Sequence, residues 1–66
     1  MVCPYCEQGN VVQVKIKRTG KKIYICDECD TIWLNGETIS HFNGTGFEEY
    51  AKANGFQSIW TELELL

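Results

Sequence analysis

The 66 residues predict a small α+β domain in which a β-hairpin and a third strand are stapled by a four-cysteine metal site and followed by a C-terminal helix and an apolar tail. Three observations predict it. Cys3-Pro4-Tyr5-Cys6 and Cys26-Asp27-Glu28-Cys29 are two Cys-x-x-Cys turns 19 residues apart, a spacing at which each tight turn aims two sulfurs at one tetrahedral ion. The segment between them alternates apolar and polar residues about a glycine turn. Helical periodicity, with a capping signature before it, begins only after residue 44.

The need for a staple follows from length, because chains below roughly 70 to 80 residues seldom bury enough apolar surface to fold on a core alone. A metal or two disulfides would serve. Residues 1 to 10 have neither a basic start nor an apolar run, and no stretch is long enough to span a bilayer. The expectation is therefore a soluble, cytoplasmic protein with no membrane contact, a setting in which paired cysteines bind metal more often than they oxidise. Four soft thiolates suit a d10 cation, so one structural Zn2+ held by Cys3, Cys6, Cys26 and Cys29 is predicted, with rubredoxin-like iron as the alternative ion for the same ligands.

In chain order, Val12, Val14 and Ile16 alternate with Gln13, Lys15 and Lys17, the period of a half-buried strand. Arg18-Thr19-Gly20-Lys21 supplies the turn, and Ile23 and Ile25 resume the alternation opposite Tyr24. The hairpin explains the gap between the cysteine turns, since it returns the second turn to the end where the first began. Thr31 to Leu34 is β-branched and aromatic and predicts a third strand ending at Asn35-Gly36; Glu37 to Ser40 is too short a run to assign as a fourth. His41 to Gly46 reads as a connector.

Thr45 with Glu48 three positions on forms a capping-box pattern, predicting a helix from Gly46 to Asn54 with Phe47, Tyr50, Ala51 and Asn54 on one face and Gly55 as its left-handed stop. In the tail, Ile59, Leu63 and Leu66 suit a helix, and the alternation of Trp60 to Leu65 suits an edge strand; helix is the slightly preferred reading. Trp60, Leu63, Leu65 and Leu66 are too apolar to leave in water, so the tail is expected to dock on its own domain or on a partner. The whole chain, residues 1 to 66, is one domain, comprising a metal-bearing part (1 to 40) and a helix and tail (41 to 66).

At this point the residues resemble a known family. Cys3 to Cys6, the hairpin, and Cys26 to Glu37 with Ile32-Trp33-Leu34-Asn35-Gly36-Glu37 are similar to the small bacterial zinc ribbons of the transcription-factor-IIB type, in which the second turn runs into a Val-Trp-Leu-Asp-like segment ending in Gly-Glu. The likeness covers about the first 40 residues. It implies a zinc ribbon with the same four cysteines as ligands. Such ribbons often carry glycine after the second cysteine of each turn, where Glu7 and Asp30 stand here; Asp tolerates positive φ better than Glu, so the first turn is expected to differ in shape, with Gly9 taking up the reversal.

Four thiolates close a tetrahedral site and leave no position for an activated water. No nucleophile constellation or phosphate loop occurs, and His41 is the single histidine, so no enzyme activity and no small-molecule substrate are expected. Charge is divided: residues 1 to 34 sum to +1 and residues 35 to 66 to -4, for a net -3. Two classes of partner follow. In the favoured one, Glu48, Glu49, Trp60, Glu62 and Glu64 meet a basic protein surface, as in a small inhibitor, immunity protein or adaptor. In the alternative, Lys15, Lys17, Arg18, Lys21, Lys22 and Tyr24 of the hairpin contact nucleic acid, against the net acidity of the chain.

Overall fold

A computed structural model describes all residues from Met1 to Leu66. Strands β1 (Val11–Ile16), β2 (Lys22–Cys26), β3 (Thr31–Leu34), β4 (Thr45–Gly46) and β5 (Leu63–Leu65) form one antiparallel sheet in the order β4-β3-β2-β1-β5. Helix α1 runs from Phe47 to Asn54. The hairpin is the sheet's centre: Val11 faces Cys26, Val14 faces Ile23, and Gly20 takes a left-handed φ of 75° in the turn.

Strand alternation sorts the side chains into two cores. Val14, Ile16, Ile23, Ile25, Ile32 and Leu63 point to one face, where Phe47 and Ala51 of α1 and Phe56 cover them. Cys3, Val11, Cys26 and Trp33 form a second buried cluster on the other side, with Cys6, Tyr24 and Ile39 packed against it. Trp33 is fully buried, and its indole Nε1 donates to the Ser40 carbonyl at 2.9 Å. The third strand's aromatic therefore joins the cysteine end to the body of the sheet.

Two expectations are corrected, and one open point is decided. The tail is not a helix: Trp60–Glu62 is a single 3-10 turn and Leu63–Leu65 is an edge strand paired with β1, Leu63 against Ile16 and Glu64 against Lys15. Leu63, opposite Ile16, is the one large apolar residue of the tail that is buried; Leu65, two residues on and on the same face of β5, and Leu66 remain exposed. The capping box does not form. Thr45 is drawn into β4 opposite Ile32, so α1 starts one residue later with Gly46 as its N-cap and no side-chain cap. Glu37 to Ser40 adds no strand; the Glu37 carboxylate instead accepts from the Leu34 amide at 2.8 Å across the Asn35-Gly36 turn.

The end of α1 follows expectation, with Gly55 at φ 78° and the cap amide bonded to the Ala51 carbonyl. Of the predicted stripe, Phe47 and Ala51 are buried, Tyr50 is half-buried against the core, and Asn54 faces solvent and donates to the Tyr50 carbonyl at 2.8 Å. Phe47 and Tyr50 both pack on Phe56, with ring centroids 6.2 and 6.1 Å apart.

Candidate metal centre

The two cysteine turns have the same construction. In the first, the Glu7 amide donates to the Cys3 carbonyl at 2.9 Å; in the second, the Asp30 amide donates to the Cys26 carbonyl at 3.2 Å. Each turn closes on a non-glycine residue in the left-handed region, Glu7 at φ 59° and Asp30 at φ 56°. The expected difference in shape is thus absent: Glu7 accepts a conformation that costs an L-residue about 1 kcal/mol or more. Gly9 serves another purpose. A Cβ there would lie 2.7 Å from Glu28 Cβ, 2.8 Å from Asp27 Oδ1 and 2.8 Å from Cys26 Sγ, so a hydrogen side chain is what lets the first turn's exit nest against the second turn.

Backbone pairing locks the two turns together. The Cys3 amide donates to the Gly9 carbonyl at 2.9 Å, the Asp27 amide to the Asn10 carbonyl at 3.0 Å, and the Asn10 amide to Asp27 Oδ1 at 2.9 Å. The four sulfurs converge, all within 4.8 Å of one another. Sulfur contacts run across the turns, Cys3 to Cys29 at 3.7 Å and Cys6 to Cys26 at 3.6 Å. A tetrahedral ion with metal–sulfur bonds of about 2.3 Å requires sulfur–sulfur edges of about 3.8 Å, whereas a disulfide would require about 2.05 Å. These are four free thiols spaced for a metal.

Backbone amides point at the sulfurs as they do around a bound thiolate. Tyr5 donates to Cys3 Sγ at 3.3 Å and Glu28, its counterpart, to Cys26 Sγ at 3.4 Å; Gly9 donates to Cys6 Sγ at 3.5 Å and Cys29 to Cys26 Sγ at 3.4 Å. The amides of Gln8 and Gly9 hold the Cys6 thiol down to about 6, and burial pushes that of Cys26 up to about 12. A dication among the sulfurs would override the burial effect, because its charge would favour all four thiolates. Burial is graded: Cys3 and Cys26 are fully buried, Cys6 is half-buried and Cys29 is exposed, with its sulfur 3.1 Å from the Thr31 hydroxyl. His41 lies outside the cluster, its ring centroid 3.9 Å from that of Phe42 and tilted by 37° to it.

The other predicted site residues are redistributed. Glu62 pairs with Arg18 at 3.6 Å and Glu64 with Lys15 at 3.8 Å, so two carboxylates of the expected acidic face neutralise two cations of the expected basic one. Trp60 belongs to neither core; it is 36 % exposed and its Nε1 donates to Asp30 Oδ1 at 3.1 Å. Asp30, Glu48, Cys29, Phe47, Gly46 and Ser58 line a concavity of about 350 Å³ between the second turn, the start of α1 and the tail. Asp30 was legible only as a turn residue. Its carbonyl also accepts from the Phe47 amide at 2.9 Å, a long-range bond that no local pattern announces. Glu49 is exposed and makes no ion pair. Tyr24 is half-buried against the Trp33 cluster, Lys22 on the same face of β2 is exposed, and Lys17 and Lys21 are exposed beside the turn.

No family model matches this chain, and no curated protein or solved structure matches it. No helix is long and apolar enough to cross a membrane.

Proposed function

We propose that this protein is a non-catalytic zinc-ribbon module that holds one structural Zn2+ through Cys3, Cys6, Cys26 and Cys29 and uses its metal-bearing end to bind a basic protein surface. The observation that carries the reading is the sulfur quartet, whose cross-turn distances of 3.7 and 3.6 Å suit a tetrahedral tetrathiolate. Four protein ligands complete such a site, so the ion supports the fold and offers no open position for chemistry. Thiolates of this kind persist in reducing surroundings, and a cytoplasmic location is in keeping with the reading.

The partner surface is supported by the concavity beside Cys29. Asp30 and Glu48 give it negative charge, a bound tetrathiolate adds about -2 nearby, and Trp60 offers an aromatic surface at its edge. An arginine or lysine side chain from a partner fits that combination through charge and through the indole face. Glu62 and Glu64 are already engaged by Arg18 and Lys15 and contribute less than the sequence suggested. An adaptor or inhibitor of a basic protein is the role in keeping with this surface.

One observation favours the alternative of nucleic-acid binding: the register sets Tyr24 between Gln13 and Trp33 and the exposed Lys22 beside Lys15, giving a half-buried aromatic with two cations, one of them paired with Glu64, on one sheet face. Titrating the zinc-loaded protein with a fluorescent arginine-rich peptide and with a fluorescent oligothymidylate separates the two. The peptide is expected to bind and to weaken on Glu48→Gln. Tight, steeply salt-dependent binding of the oligothymidylate, lost on Lys22→Gln, would overturn the protein-partner reading.

A further inference from the structure

The graded burial of the four sulfurs, combined with their pairing across the turns, distinguishes one cysteine from the other three. Cys29 is exposed as a residue and lines the concavity of about 350 Å³ described above. Cys3, its 3.7 Å neighbour, is fully buried; Cys26, also buried, faces Cys6 at 3.6 Å. We propose that this centre is a peroxide-sensitive release site, in which Cys29 is oxidised first, Cys3 resolves it, and the metal leaves as the Cys3–Cys29 disulfide forms. The proposal rests on the reading that the quartet holds zinc.

The chemistry balances with a hydroperoxide as the named oxidant. The Cys29 thiolate attacks one peroxide oxygen, the O–O bond breaks, and hydroxide leaves, giving a sulfenic acid. The Cys3 thiolate then attacks that sulfur and displaces a second hydroxide, forming the S–S bond. The two sulfurs together lose two electrons, and the two peroxide oxygens gain them. One peroxide therefore removes two of the four ligands. Zinc left on Cys6 and Cys26 alone is under-coordinated and is lost to any competing chelator. The turn-to-turn connectivity is the distinctive consequence, since a Cys-x-x-Cys turn by itself would suggest a disulfide within Cys3-Pro4-Tyr5-Cys6 or within Cys26-Asp27-Glu28-Cys29. The backbone bonds joining the turns align the crossed pairs while the loaded site reacts.

The experiment begins with the purified full chain, its zinc content measured first; a preparation that takes up no zinc refutes the underlying site and is distinguished from failure of the release step. The loaded protein is then titrated with hydrogen peroxide in the presence of a chromogenic zinc chelator, alkylated under denaturing conditions, and mapped by non-reducing tandem mass spectrometry with fragmentation between Cys3 and Cys6. The expected result is about one zinc released per peroxide consumed, with Cys3–Cys29 as the first disulfide and recovery of zinc binding after thiol reduction. A first disulfide within either turn, a Cys6–Cys26 bond preceding Cys3–Cys29, or zinc retained through several equivalents of peroxide would overturn the proposal.

Discussion

Replacing Gly9 with alanine should weaken zinc binding by on the order of tenfold, although the glycine ligates nothing and has no unusual φ. The added methyl would approach Glu28 Cβ, Asp27 Oδ1 and Cys26 Sγ at 2.7, 2.8 and 2.8 Å, each short of the roughly 3.5 to 4.0 Å of a comfortable contact. None of the three can yield easily. Glu28 Cβ is fixed to the backbone, Asp27 Oδ1 accepts from the Asn10 amide at 2.9 Å, and Cys26 Sγ belongs to the sulfur quartet. Overpacking of this kind costs about 1 to 3 kcal/mol, and the lower entropy of the unfolded alanine chain returns about 0.4 to 1. The net loss, about 1 to 2 kcal/mol, falls on the contact between the two turns and so on metal affinity, at about 1.4 kcal/mol per decade. Chelator competition reads the affinity, with Gly46→Ser as control, since a Cβ at Gly46 meets nothing within 4 Å. If Gly9→Ala binds zinc as tightly as the parent, the nesting of the turns is not what aligns the sulfurs.

Further predictions concern the tail, the helix start and the coupling of metal to fold. Leu63→Ala should destabilise by about 2 to 5 kcal/mol, because it removes a buried side chain from the main core, whereas the exposed Leu65→Ala should stay within about 0.5 kcal/mol; denaturant titration compares them, and equal effects would refute the placement of Leu63 in the core. Gly46→Ser should stabilise α1 by a few tenths of a kcal/mol up to about 1, by supplying the missing cap and reducing chain entropy, and Thr45→Ala should lack the roughly 1 kcal/mol penalty of a lost cap. Thermal unfolding decides between them, with a large loss on Thr45→Ala restoring the capping box. Removing zinc with a strong chelator should abolish the near-ultraviolet circular dichroism of Trp33, which is buried in the same cluster as Cys3 and Cys26. Native spectra in a metal-free sample would mean that the sheet stands without its staple.

The parts legible in the sequence were those whose cause is local. Alternation of Val12, Val14 and Ile16 against Ile23 and Ile25 set the hairpin and its inward face, and that hairpin brings the cysteine turns together, so the sulfur quartet follows from spacing. Gly55 announced the end of α1 because a left-handed stop has few other occupants. What escaped was decided at a distance. Thr45 carries a capping signature, yet it pairs with Ile32, and Gly44 sits so close to Thr31 and Trp33 that only glycine allows the chain to enter β4 there. The tail satisfied both helical and strand periods; its strand pairing with β1 is accompanied by Glu64 beside Lys15, Glu62 beside Arg18, and the Lys17 amide on the Glu62 carbonyl at 2.9 Å. The same ion pairs join acidic and basic residues that the sequence presents as separate faces.

Glu7 illustrates a different limit. Propensity argues against a glutamate in the left-handed region, but the amide-to-sulfur and amide-to-carbonyl bonds of a cysteine turn impose that conformation whatever residue stands there. Local preference therefore yields to the geometry that presents two sulfurs to one ion, and the two turns become alike despite different sequences.

X-ray absorption at the zinc edge of the purified protein tests the central claim most directly. Four sulfur neighbours at about 2.3 Å, with one zinc per chain, are predicted. Fewer than four sulfurs with nitrogen or oxygen making up the shell, or a site filled by iron with no zinc, would contradict it.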